Sequence, residues 1–91
     1  RIMEKFENWK EKTLGIYVYP ISPGCAYEIH INYWDKKTDI MSANASLYIV
    51  GNWHNKDGTN TVERECLLDS MPVMACIGKS IEDNKENNTT S

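Results

Sequence analysis

The stretch "YEIHINYW", residues 27–34, alternates with a period of two. In an extended chain Tyr27, Ile29, Ile31 and Tyr33 fall on one side, and Glu28, His30, Asn32 and Trp34 on the other. The first side is what a sheet buries. The second lines up a carboxylate, an imidazole, an amide and an indole. The segment reads as a strand with one dry face and one wet face.

The flanking residues extend the pattern. "GIYVYPIS" reads as a preceding strand, and "SPGC" places Pro23 and Gly24 at the positions a type II turn prefers. With those two residues central, Val18 faces Ile29 and Ile16 faces Ile31, so the apolar sides coincide. Downstream, "WDKKTDI" centred on Lys37 sets Ile31 against Ala43, Ile29 against Ala45 and Tyr27 against Leu47. "HNKDGTN" carries Asp57-Gly58, a strong hairpin signal. It sets Trp53 against Val62, Ile49 against Cys66 and Leu47 against Leu68. A one-residue slip would turn a strand inside out, so agreement through three successive hairpins predicts a four-stranded antiparallel meander.

Residues 2–13, "IMEKFENWKEKT", place Ile2, Phe6 and Trp9 at i, i+4 and i+7, which predicts an amphipathic helix ended by Thr13 and Gly15. Beyond Leu68, "DSMPVMACIGKSI" reads in two ways. It could form a fifth strand, with Val73, Ala75 and Ile77 on the core face. It could instead form a helix with Ser70 as N-cap, Pro72 in the first turn and a Val73, Ile77, Ile81 stripe. Gly78 and the acidic end at Glu82-Asp83 weigh against the helix, and Val and Ile favour the strand. "EDNKENNTTS" reads as a frayed polar tail.

The expected fold is therefore α+β. An N-terminal helix packs on an antiparallel meander of four to five strands, residues 70–81 are either strand or helix, residues 1–81 form one domain and 82–91 a flexible tail. That element order is the layout of cystatin-like folds, although no Gln-Val-Gly loop is present. The expected core sets Ile2, Phe6 and Trp9 on Val18, Ile29, Ile31, Ala45, Leu47, Ile49 and Cys66.

Composition narrows the function classes. A chain of 91 residues buries a little over ~60% of its unfolded surface, enough for one core and no separate cofactor domain. A net charge of −3 and a pI near 5.3 argue against a nucleic-acid binder, whose footprint is a basic face. No apolar run approaches the ~18 residues of a membrane span. No leader is visible, so the expected location is the cytoplasm, or outside the cell after signal-peptide removal. Abundant Lys, Asn and Ile beside only two Arg point to an AT-rich coding genome, bacterial, phage or viral. The three cysteines lack a C-x-x-C or zinc spacing and read as reduced thiols. A Cys66–Cys76 disulfide belongs to the secreted alternative.

In these registers the face away from the helix gathers Tyr17, Tyr19, Glu28, His30, Asn32, Trp34 and Tyr48. Aromatic rings beside short polar groups are what protein interfaces favour, while Tyr and Trp are also ordinary strand residues on a half-wet face. Catalysis finds no support. Cys25 lies ~16 Å along the strand from His30, His54 sits alone in a loop, and no phosphate-cradling glycine loop or carboxylate pair occurs. No catalytic residue, cofactor or metal is expected. A five-stranded sheet is ~20 Å wide and one helix only ~10 Å, so another protein or a second copy is expected against it. The expected function is a small non-enzymatic binding or inhibitory module that occludes a partner protein's surface, of inhibitor, immunity or counter-defence type. The alternatives are a secreted effector or inhibitor with one disulfide, and a half-barrel holding a small molecule between helix and sheet.

Overall fold

The computed structural model describes residues 6–90. Five strands follow one another: β1 (Lys10–Thr13), β2 (Ile16–Ser22), β3 (Cys25–Tyr33), β4 (Asn44–His54) and β5 (Asn60–Pro72). They form one antiparallel sheet in the order β1-β2-β3-β4-β5. A 3-10 turn, Ile40–Ser42, precedes β4, and helix α1 (Val73–Thr90) comes last.

The α+β meander is present, but among the described residues the expected N-terminal helix is not, and with it goes the cystatin-like element order. Residues 2–5 lie outside the described residues. From Lys10 the chain is already a strand, turned back along β2 through Leu14-Gly15, with Gly15 at φ +82°. All four residues of β1 are exposed, which suits a short, charged edge strand. A helix in this segment would have needed its stripe to meet the aliphatic face of β2. That face points the other way.

The cause is one extra residue. The Pro23-Gly24 turn forms as expected, with Ser22 paired to Cys25 and Gly24 at φ +80°. The ladder then shifts between Ser22 and Pro20, so that Tyr19 faces Tyr27, Tyr17 faces Ile29 and Val18 faces Glu28. Pro20 has no N–H to give the ladder, and a bulge is where a sheet tolerates that. The bulge inverts β2. Tyr17 and Tyr19 turn onto the dry face, where Phe6 packs on Tyr17 (ring centroids 5.2 Å) and Trp9 stacks on Tyr19 (5.5 Å). Val18 moves to the wet face.

The next two hairpins deviate differently. Between β3 and β4 the register is displaced by two, giving Ile31–Ala45, Ile29–Leu47 and Tyr27–Ile49. An even shift leaves both faces intact. Between β4 and β5 the loop has three residues at its tip: Asn55 N–H donates to Thr59 O (2.8 Å), and Gly58 N–H donates to Asn55 O (3.1 Å) with Gly58 at φ +89°. That places Tyr48 opposite Cys66 and Ile49 opposite Glu65. Cys66 is therefore exposed on the wet face rather than buried in the core. A shift between Cys66 and Leu68 restores the expected Leu47–Leu68 pair.

Ser70, at φ +55°, and Pro72 end the sheet, and the chain turns into α1. Its first N–H, from Val73, is taken up by Ala43 O at 3.0 Å, satisfying one donor that a helix start leaves orphaned. Val73, Cys76, Ile77 and Ser80, at i, i+3, i+4 and i+7, are all buried. They close the core over Ile29, Ala45 and Leu47, with Met41 and Ala43 alongside. The strand expectation for 70–81 thus yields to the helical alternative, and the helix continues through residues read as a tail. Helical stability comes mostly from packing an amphipathic face, and this apolar sheet face has no other long cover among the described residues.

Gly78 sits within α1 with open space where a Cβ would go. Gly78→Ala is expected to stabilise the fold by up to about 1 kcal/mol, since glycine costs a helix about that much relative to alanine. Denaturant midpoints of the two proteins check this.

Candidate protein-binding face

On the wet face the bulges and turns assemble a cluster around one buried carboxylate. Glu28 lies in the middle strand, and its side chain is only 6% exposed although this face carries no helix. It is covered by its neighbours. His30 Nε2 donates to Glu28 Oε1 at 2.9 Å. Arg64 Nη2 from β5 lies 3.5 Å from the same oxygen, and Lys12 Nζ from β1 lies 3.7 Å from Oε2. Tyr48 is opposite Glu28 in β4. Its ring meets His30 at 4.7 Å between centroids, and the Arg64 guanidinium lies 5.9 Å from the Tyr48 centroid.

Burial pushes the Glu28 carboxyl up. The hydrogen bond from His30 and the charges of Lys12, Arg64 and His30 outweigh it and hold the group below its ordinary value. A depressed carboxyl stabilises the fold above its unfolded pKa, near 4.5, and that contribution is lost as pH falls through the lower folded value. Glu28→Gln should therefore destabilise the protein at neutral pH, and the gap between variant and wild type should narrow as pH falls below 4.5 and through the lower folded value. Urea midpoints measured in a series of pH values from neutral downward give the result; a gap that does not narrow below pH 4.5 would contradict the ionic account.

A second polar group adjoins the first. Ser46, opposite His30, donates to Asp69 Oδ1 at 2.6 Å, while Asn32 Nδ2 donates to Asn44 Oδ1 and to Ser46 Oγ, each at 3.0 Å. Ser46 Oγ also accepts from the Ser70 backbone N–H at 3.3 Å. Polar groups buried in this face are thus satisfied by one another.

Of the seven residues expected here, Glu28, His30, Asn32 and Tyr48 share the face. Tyr17 and Tyr19 do not, because of the bulge beside Pro20. Trp34 does not either: the ladder shifts between Ile31 and Tyr33, leaving Tyr33 69% exposed. Trp34 packs against the core, its indole N–H donating to Thr38 O at 3.1 Å. The Asp57-Gly58 register would also have put Glu63 and Glu65 on this side, but they pair with Gly51 and Ile49 on the opposite face. The same register change delivers Arg64 and Val62 to the wet face. Lys12 was missed because it was assigned to a helix, and its charged run "KEKT" ahead of a glycine turn was the available signal for an edge strand.

No group of three or more His, Cys, Asp and Glu residues among those described could hold a metal ion. No helix among the described residues is long and apolar enough to cross a membrane. The arrangement is that of a small α+β chain with a helix on one side of its sheet and a charged, aromatic face on the other. Comparison with protein-family models, curated proteins and solved structures finds no match.

Proposed function

We propose that the protein is a non-enzymatic binding module that occupies the surface of a partner protein through the wet face of its sheet. The observation that carries this reading is the use made of Glu28. Its charge is consumed inside the cluster, so what remains toward solvent around the rings of Tyr48 and His30 is the cationic pair Lys12 and Arg64, 63% and 47% exposed, while the exposed Asp69 carboxylate lies apart from them beside Ser46. Lys10, in register with Val18, extends that edge. A local cationic, aromatic patch on a chain of net charge −3 suits an acidic partner surface: Tyr and Arg are enriched among interface anchors, and complementary charge speeds and orients docking. Two copies meeting face to face would oppose their cations, so a distinct acidic protein fits better than a homodimer. Inhibition follows if the occupied surface is the partner's working site.

Cys66, exposed and opposite Tyr48, provides the readout. Thiol labelling of the native protein should modify Cys66 rapidly. Cys76 should resist, since burial, with a smaller contribution from Cys66, pushes its thiol up to about 11 and only the thiolate reacts. Tagged wild-type protein and a folded Tyr48→Ala/Arg64→Glu variant are then compared in capture from native host extract. Binding should protect Cys66 in the wild type, and the variant should lose the captured protein, with Tyr48→Ala alone weakening association by roughly 1–4 kcal/mol. Equal capture by both, with Cys66 still reactive in the complex, defeats the proposal.

A further inference from the structure

The dry face is not closed uniformly. The segment Phe6–Trp9 covers its β2 side and α1 covers its β4 side, leaving between them a cleft of about 300 Å³. Trp9 and Tyr19 form one wall, their rings stacked at 30°, and Ile81 and Ser80 of α1 form the other. Tyr27 lies at the base, its hydroxyl already donating to Asp83 Oδ2 at 2.7 Å, so it offers the cleft a ring rather than a polar group. Asn8, Asn84 and Lys85 complete the lining.

We infer that this cleft is a binding site for a small planar ring compound carrying a carboxylate. The volume is at the lower end of the ~300–1,000 Å³ of small-molecule sites, and the combination of aromatic walls with a few convergent polar groups is their usual composition. Stacked Trp and Tyr rings present flat apolar surface, which favours a flat partner in offset-stacked or edge-to-face contact. The polar groups decide the rest. Among the lining residues Lys85 carries the only formal charge, and no carboxylate lines the cleft. Nearby, Asp83 accepts the Tyr27 hydroxyl, Glu82 is paired with Lys79 (3.5 Å), and Glu86, next to Lys85 in sequence, is also engaged; none of the three lines the cleft. Asn8 and Asn84 supply amide donors that make no side-chain hydrogen bond to other described residues. An anionic substituent at the mouth meets an ammonium and two amides.

The site is separate from the wet face, so its test is independent of the partner-binding reading. The probes are indole-3-carboxylate and its neutral isostere indole-3-carboxamide, titrated against the whole chain while the Trp9 indole N–H and the Asn8 and Asn84 amides are followed by NMR. Saturable shifts at those three residues are expected with the carboxylate. The carboxamide should bind about two- to fivefold more weakly, the scale of one exposed charge contact. Lys85→Gln, an exposed substitution that leaves the core untouched, should remove that difference. Ile81→Trp, which lays a ring across the mouth, should abolish the shifts while far-ultraviolet dichroism stays the same. Absence of saturable shifts at Trp9, or shifts that survive Ile81→Trp in a folded protein, overturns the site. Equal affinity for the two probes, unaltered by Lys85→Gln, overturns the anionic ligand class.

Discussion

Leu47→Ala is expected to cost about 2–5 kcal/mol of folding stability, the range for deleting a buried leucine side chain. Leu47 is fully buried at the centre of the sheet, paired with Ile29 on one side and Leu68 on the other, and lies in the core closed by α1. Truncation leaves a cavity that a strand held by ladders on both sides cannot collapse. Its neighbour Tyr48 points to the opposite face. Tyr48→Ala should change stability by less, on the order of 1 kcal/mol, while weakening association. Urea denaturation of both variants decides the matter: a Tyr48→Ala loss as large as that of Leu47→Ala would make the wet face structural.

Tyr27→Ala is expected to be at least as damaging, about 3–5 kcal/mol, as for other large aromatic truncations. The ring is 1% exposed, and its hydroxyl, donated to Asp83 at 2.7 Å, ties β3 to α1 across 56 residues of chain. Burial, then the hydrogen bond and charge of Asp83, push this phenol well above its ordinary value of 10. Tyr27→Phe separates the two contributions. It removes only the hydrogen bond to a charged acceptor, worth about 1.5–3 kcal/mol. If Tyr27→Phe and Tyr27→Ala cost the same, the ring contributes little and the packing account fails.

The middle of this fold was legible because its pattern is redundant. Ile29, Ala45 and Leu47 are buried as expected, and the β3–β4 register could be wrong by two without moving any side chain to the other face. Single-residue bulges carry no such protection. The one beside Pro20 turned β2 over and brought Tyr17 and Tyr19 inside. The one near Asn32 turned Trp34 against the edge of the core. The three-residue tip at Lys56–Gly58 exchanged Glu63 and Glu65 for Arg64. Pro20 was a readable signal, because a proline within a strand marks an edge or a bulge; nothing local marks the shift after Ile31. The helix was misjudged for a different reason. Local propensity at Gly78 and Glu82 argued against it, and the apolar sheet face that needed covering outweighed propensity.

Because the only long helix described here follows all five strands, it is also the last of these elements to be synthesised. Each hairpin can zip onto the one before it, a local topology that favours rapid pairing. Until α1 emerges, Ile29, Ala45 and Leu47 have no lid, and a nascent sheet would present a bare apolar surface to its surroundings. Chains interrupted after Pro72 would keep that surface indefinitely, and exposed apolar sheet of this kind is what aggregates or recruits chaperones. A premature stop just after β5 would then be far more harmful to a cell than the largely polar composition of α1 suggests.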